Sequence, residues 1–304
     1  MNFSYICNIN HIIFRHMNSA SATFINPLTD FGFKYLFGQE EHKQFLLSFL
    51  NSLMTGQRVI TDVEFVDKER INEDKDGRAL IYDLHCKTAD GHKIIVEMQN
   101  RYQTYFRDRA IFYMSGDIYH QGRRGSEWNY CLTPVYGVFM MNFDWHEGQE
   151  EPLREDVCLM NECTHEVFSD KMRMTFLKIP MMDKNADDCR DTFDRWLYLL
   201  KHMDKMEVMP KVFMNDPVFR RLGEVAKVAA LTDNEREAYD KSLKVYRDSY
   251  AIAETERAEG REEGRAEGRA EEKLSNARNL KKLGIPIDII SKGVGLSESE
   301  IASL

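Results

Sequence analysis

The chain has 304 residues, 43% hydrophobic and 30% charged, which is too apolar for a disordered chain and enough for one large domain with an appendage. A net charge of −9 excludes broad nonspecific affinity for nucleic acid through overall charge, and no apolar run reaches the length of a membrane helix, so no membrane partner is expected. The cysteines (Cys7, Cys86, Cys131, Cys158, Cys163 and Cys189) form no CxxC pair and a chain this long rarely relies on disulfides, so a reducing cytoplasm is the expected compartment.

Residues 1–23 are expected to form an N-terminal extension. The apolar residues of 1–16 are interrupted by Asn8, Asn10 and His11, with no basic start and no cleavage site, which makes a poor signal peptide. Met17 can serve as an initiator, so 1–16 are expected to be an upstream addition. A main domain is expected over 24–250. Thr29 or Asp30 can cap a helix at 31–37, and a second helix follows at 40–53. Phe31, Phe33, Leu36, Phe37, Phe45, Leu46, Phe49 and Leu50 in these helices read as core. A strand is expected over 59–68, then a polar turn at 72–78.

Residues 79–101, ALIYDLHCKTADGHKIIVEMQNR, read as a hairpin. Leu80, Tyr82, Leu84 and Cys86 make one apolar row, and Ile94, Val96 and Met98 another. Asp83, His85, Lys87, Lys93, Glu97 and Gln99 fall on the opposite faces, with Ile95 an apolar intruder. A two-residue Asp90-Gly91 loop would set Leu84 against Glu97 and mix the rows. A three-residue loop, Ala89-Asp90-Gly91 with a left-handed glycine, sets Leu84 against Val96 and Asp83 against Glu97. Two carboxylates and the Gln99 amide then share one face, with cross-strand Cβ atoms roughly 5 Å apart. Carboxylates this close repel unless a proton or cation neutralises them, and hard oxygen donors suit Mg²⁺. A half-exposed hairpin with ordinary solvated charges shows the same alternation.

Further along, 104–121 is expected to be helical, with Phe106, Ala110, Tyr113, Met114 and Asp117 on one stripe and Arg107 and Arg109 off it, facing either solvent or phosphate. Arg101, Arg107, Arg109, Arg123 and Arg124 form a basic zone beside the acidic pair, as a phosphodiester substrate requires. Residues 130–143 read as a strand buried on both faces, and 167–180 as another. Cys158, Cys163 and His165 lack a fourth ligand at a recognisable spacing and read as buried thiols with a neighbouring imidazole. From Asp187 the pattern turns helical, over 218–231 and then in a long helix from about Glu235.

Residues 251–273 carry a Glu/Gly/Arg repeat that places Gly260, Gly264 and Gly268 on one row. Such a row makes a poor helix alone, leaving either a spacer or a face for a partner helix. Residues 274–304 read as a small module of three short helices, with Ile289, Val294, Leu296 and Ile301 as core and a capping box from Ser297 to Glu300. Its last helix offers no Arg, Lys, Asn or Gln to base edges, which disfavours a DNA-reading role. The whole reads as an α/β (α+β) fold, a mixed central sheet flanked by helices with a helical C-terminal arm.

Five blocks, NPLTDFGFKYLFG, YDLHCKTADG, VEMQN, FRDRAIFYMS and WNYCLTPVYGVFMMNF, resemble the recombination-promoting nuclease and transposase family of the PD-(D/E)XK superfamily. The resemblance implies a restriction-endonuclease-like core and a Mg²⁺-dependent DNA endonuclease, with Mn²⁺ able to substitute. It implies that Asp83, Glu97 and the Met98 main-chain carbonyl hold the metal, with Asp30 a further ligand, while the basic zone leaves Arg101, Arg107 and Arg109 to bind phosphate. Gln99 stands where the superfamily usually has a lysine that orients the attacking water, and it cannot supply that residue's charge. A catalytically weak or inactive nuclease fold acting in DNA binding or assembly is therefore the alternative. The C-terminal arm is expected to bring copies together as a homo-oligomer.

Overall fold

The computed structural model describes residues 22–56, 59–66, 82–122, 128–143 and 152–304. The N-terminal extension to residue 21, the polar turn at 72–78, Leu80, Arg123 and Arg124 lie outside the described residues. Contacts divide the chain into two units, Met1–Tyr246 and Arg247–Leu304.

The first unit is built on a mixed six-stranded sheet in the order β1-β2-β3-β4-β6-β5. Its strands are β1 (Val63–Phe65), β2 (Leu84–Thr88), β3 (Lys93–Gln99), β4 (Val135–Met141), β5 (Arg154–Met160) and β6 (Val167–Lys178). β1, β2 and β3 run antiparallel, β3, β4 and β6 run parallel, and β5 closes the far edge antiparallel to β6. The helices of this unit are α1 (Asp30–Phe37), α2 (Lys43–Leu53), α3 (Phe106–Tyr119), α4 (Thr192–His202) and α5 (Pro217–Val225), followed by the start of α6 (Asp233–Lys282). β3 and β4 are parallel neighbours, so the chain between them must cross over, and α3 is that crossover.

The hairpin has the register of the three-residue loop: Leu84 pairs with Val96 and Cys86 with Ile94. Gly91 sits at φ +87°, the left-handed conformation that such a loop needs and that glycine adopts without strain. The hairpin is nevertheless not half-exposed. One face, with Leu84, Cys86, Ile94, Val96, Val138 and Leu177, packs under α1, α2, α4 and α5 around Trp196. Its other face is covered by α3, where Ile95, Phe139, Met141 and Phe176 meet Phe106, Ala110 and Met114. Ile95 is thus no intruder but part of a second core. Tyr82 departs from the expected row: it joins this second core, and its hydroxyl donates to the Tyr113 carbonyl at 3.2 Å. α3 approaches closely because position 137 is glycine; a Cβ there would lie 2.7 Å from the Met114 sulfur and 2.6 Å from the Phe139 ring.

β1 is shorter than expected, and β5 was not anticipated, since Arg154, Glu155 and Asp156 give it no apolar alternation. Thr29 rather than Asp30 caps α1, its side chain accepting from the Gly32 N–H. The 218–231 segment breaks after Val225, and only a short 3₁₀ turn follows.

In the second unit the repeat is helical, as part of α6, and a Cβ built on Gly260, Gly264 or Gly268 meets nothing within 4 Å. The first of the three expected short helices is the end of α6; α7 (Ile287–Val294) and α8 (Glu298–Ser303) follow. Ala277, Ile290 and Ile301 form a small core, and the Ser297–Glu300 capping box is present. Ile289 is exposed, contrary to expectation, because Ile287, Ile290 and Val294 are the residues that share one face of α7. Among the described residues no helix is long and apolar enough to cross a membrane.

Candidate active site

At the open end of the hairpin the two carboxylates brace the opposing strands. The Asp83 N–H donates to Glu97 Oε1 at 2.9 Å, and the Met98 N–H donates to Asp83 Oδ2 at 2.9 Å. In an extended strand the N–H and C=O of one residue point to the same edge, so the Met98 carbonyl also faces the Asp83 side. The register therefore collects two carboxylates and a main-chain oxygen at one strand end. No cluster of three or more His, Cys, Asp or Glu side chains suited to a metal occurs among the described residues. Mg²⁺ does not need one, since it keeps most of its water and takes one or two protein carboxylates.

Glu97 is nearly fully buried, its side chain 3% exposed. Burial pushes its carboxyl well above the usual carboxylate range and the nearby Asp83 pushes it further, while the Asp83 N–H and Arg109 oppose the shift. This electrostatic debt is what a bound cation relieves.

Gln99 is partly exposed, and its Nε2 donates to the Arg101 carbonyl at 3.2 Å. Asn100 anchors the strand end to the loop before α1 through the Leu28 carbonyl, at 2.7 Å. Asp30 lies on the first turn of α1, where it pairs with Lys34 and is largely exposed. Arg101 is half-buried with its Nε lacking a hydrogen-bond partner, and Arg107 is exposed on the outer side of α3.

Arg109 meets partners that the sequence did not point to. Its Nη2 lies 3.0 Å from Glu97 Oε2, and its Nε donates to the Tyr113 hydroxyl at 3.1 Å. The guanidinium sits 5.1 Å from the centre of the Tyr113 ring. The signal was present in the spacing: Arg109 and Tyr113 are four apart, on the shoulder of the buried stripe.

A second polar group went unnoticed in the sequence. Asp117, 2% exposed, lies 2.8 Å from His85 Nε2 and 3.0 Å from Lys93 Nζ. Burial alone would raise its carboxyl, but the contacts with His85 and Lys93 outweigh that and hold it below the ordinary aspartate value. This network fixes the C-terminal half of α3 to the hairpin, eight residues from Arg109.

The family model of the PD-(D/E)XK nuclease family transposases matches residues 27–256, spanning the whole sheet, the paired carboxylates and α3. Comparison with curated proteins and with solved structures gave no match. The mixed sheet with helices on both faces is a restriction-endonuclease-like α/β fold, and the chain belongs to the PD-(D/E)XK nuclease family transposases.

Proposed function

We propose that this chain is a divalent-metal-dependent DNA endonuclease that hydrolyses phosphodiester bonds, acting in recombination or in mobile elements. The observation that supports it most is the Asp83–Glu97 pair: the Asp83 N–H holds the Glu97 carboxylate and the Met98 N–H holds that of Asp83, beside the Met98 carbonyl. This donor set is all oxygen and includes a buried carboxylate in need of a positive partner, which fits Mg²⁺, with Mn²⁺ an effective substitute. When bound, such an ion polarises the phosphodiester and lowers the pKa of a coordinated water. Asp83, Glu97 and the Met98 carbonyl would hold it, and the exposed Asp30 could join only through water. Gln99 would orient the attacking water by hydrogen bonding, while Arg101 and Arg107 would neutralise backbone phosphates. The free thiols among the described cysteines suit a cytoplasmic location, although Cys163 is exposed and Cys158 only partly buried, contrary to expectation. Incubating plasmid DNA with the purified protein tests the reading. Nicking that requires Mg²⁺ or Mn²⁺ supports it, and binding without any metal-dependent turnover supports a DNA-binding or assembly protein instead.

That alternative is favoured by one observation: Gln99 carries no charge, and its amide is turned onto the Arg101 carbonyl. Gln99→Lys is expected to retain or raise nicking, and Gln99→Ala to lose about 10²-fold, roughly 2.7 kcal/mol of transition-state stabilisation, with metal affinity nearly unchanged. Single-turnover rates on a supercoiled plasmid measure both, and an Ala variant as fast as the parent removes Gln99 from the mechanism.

We further propose that the C-terminal arm assembles copies of the chain, because no candidate metal ligand or phosphate-binding residue lies in it. Truncation after Tyr250 is expected to lower the number of chains per particle, read by light scattering as mass divided by chain mass, and to reduce double-strand breaks more than nicks. The same number of chains per particle across a shared concentration range would make the arm a plain spacer.

A further inference from the structure

Gln99 brings no positive charge to the paired carboxylates, but Arg109 stands against one of them. We propose that Arg109 is the catalytic cation of this centre, taking over the electrostatic role of the absent lysine, and that its pairing with Glu97 also tempers metal affinity. The inference rests on the nuclease reading above and names a residue that carries its chemistry.

Three features place Arg109 in this role. First, its Nη2 reaches Glu97 Oε2 at 3.0 Å, so its charge lies within one side chain of the oxygens expected to bind metal. Second, it is held rather than left to solvent: Nε donates to the Tyr113 hydroxyl at 3.1 Å, Nη1 to Gln103 Oε1 at 3.4 Å, and the guanidinium stands by the Tyr113 ring. Tyr113 is itself fixed, since its carbonyl accepts from the Tyr82 hydroxyl and the two rings meet edge to face at 5.0 Å. Third, Arg109 is one-third exposed, so the site's mouth is open on its side. A guanidinium has five N–H donors, and those not used by Glu97, Tyr113 and Gln103 remain for a phosphate oxygen.

The reaction is a hydrolysis. A water oxygen bonds to phosphorus, one ester P–O bond breaks, and one water hydrogen ends on the departing alkoxide while the other stays with the phosphate product. Arg109 transfers no proton. It stabilises the negative charge that builds on the non-bridging oxygens, and a preorganised charge does this without reorganisation during the step. A cation at 3.0 Å from Glu97 also opposes a divalent ion on the same carboxylate.

The test compares the full-length protein with Arg109→Gln, Arg109→Lys and Tyr113→Phe, measuring steady-state plasmid nicking and, separately, Mn²⁺ binding by calorimetry without DNA. Arg109→Gln is expected to lose roughly 10²- to 10³-fold in kcat while its Mn²⁺ affinity stays equal or tightens. Arg109→Lys should recover part of that rate. Tyr113→Phe frees the guanidinium without removing its charge, and should lower kcat with little change in KM or melting temperature. Nicking by Arg109→Gln at the parent rate overturns the proposal. So does a loss of nicking matched by an equal loss of Mn²⁺ affinity, which would make Arg109 a builder of the metal site rather than a participant in the chemistry. If the parent protein itself turns over no DNA with either metal, the nuclease reading falls and the role of Arg109 falls with it.

Discussion

Asp83→Ala is expected to abolish metal-dependent nicking, by roughly 10³-fold or more, or about 4 kcal/mol in the barrier. The loss should appear as failed Mn²⁺ binding and not as unfolding, because Asp83 lies outside both hydrophobic cores. The residue does accept the Met98 N–H, so alanine leaves one strand-end donor unmet at a cost of about 1 kcal/mol. Asp83→Asn separates the two effects. Its side-chain carbonyl can still accept that hydrogen bond, and only the negative charge is gone. A folded Asn or Ala variant that nicks at the parent rate would remove Asp83 from the site, and with it the reason for pairing it with Glu97.

Asp117→Ala should produce the largest stability loss of any single polar substitution near the site. It leaves His85 and Lys93 without the carboxylate that they share in a buried setting, and breaking such a pair from one side costs about 3–5 kcal/mol. In a unit of this size that corresponds to a melting temperature lower by roughly 10 °C. The sign of its pH dependence follows from the direction of the shift. Asp117 is held below its ordinary value of 3.8 when folded, so its stabilisation is complete above that value and fades as pH falls toward the folded one. The gap in melting temperature between the parent and Asp117→Asn should therefore be widest near neutral pH and narrow below about pH 4. A gap that stays constant from pH 7 to pH 3 would show that the ionised carboxylate is not what holds α3 down.

Reading the hairpin from the sequence worked because a period-two pattern has only two registers, and the Ala89-Asp90-Gly91 loop chooses between them. The same pattern gave the wrong environment for its polar face. Alternation says which side chains share a face, but not what covers that face, and here α3 does. Ile95 was the clue: one aliphatic residue in a polar row marks a surface destined for a second core. Tyr82 went to that core because it precedes β2, where the strand's alternation no longer binds it. β5 escaped notice because an edge strand paired on one side needs neither an apolar row nor a turn signature. Arg109 could be assigned to a region but not to a partner, since its contact with Glu97 depends on the angle at which α3 crosses the sheet. That angle is set by Gly137, Met114 and the Asp117 network, which no local spacing records.

Apart from Asp30, which could join only through water, every side chain proposed for the site lies between Asp83 and Asp117, in one hairpin, the helix that follows it and the loop between them. Bringing them together requires closing only short loops, whose entropic cost grows slowly with length and is small here. The distant strands β4 and β6 add no acid or base to the centre. They add Phe139 and Phe176, whose rings fill the second core beneath α3. Assembly of the proposed reacting groups and burial of Glu97 are thus separate achievements of this chain, one local in sequence and one dependent on its long-range topology. Damage far from the hairpin would then register first as a wetter Glu97, whose carboxyl drifts back toward an ordinary acid while every reacting group is still in its place.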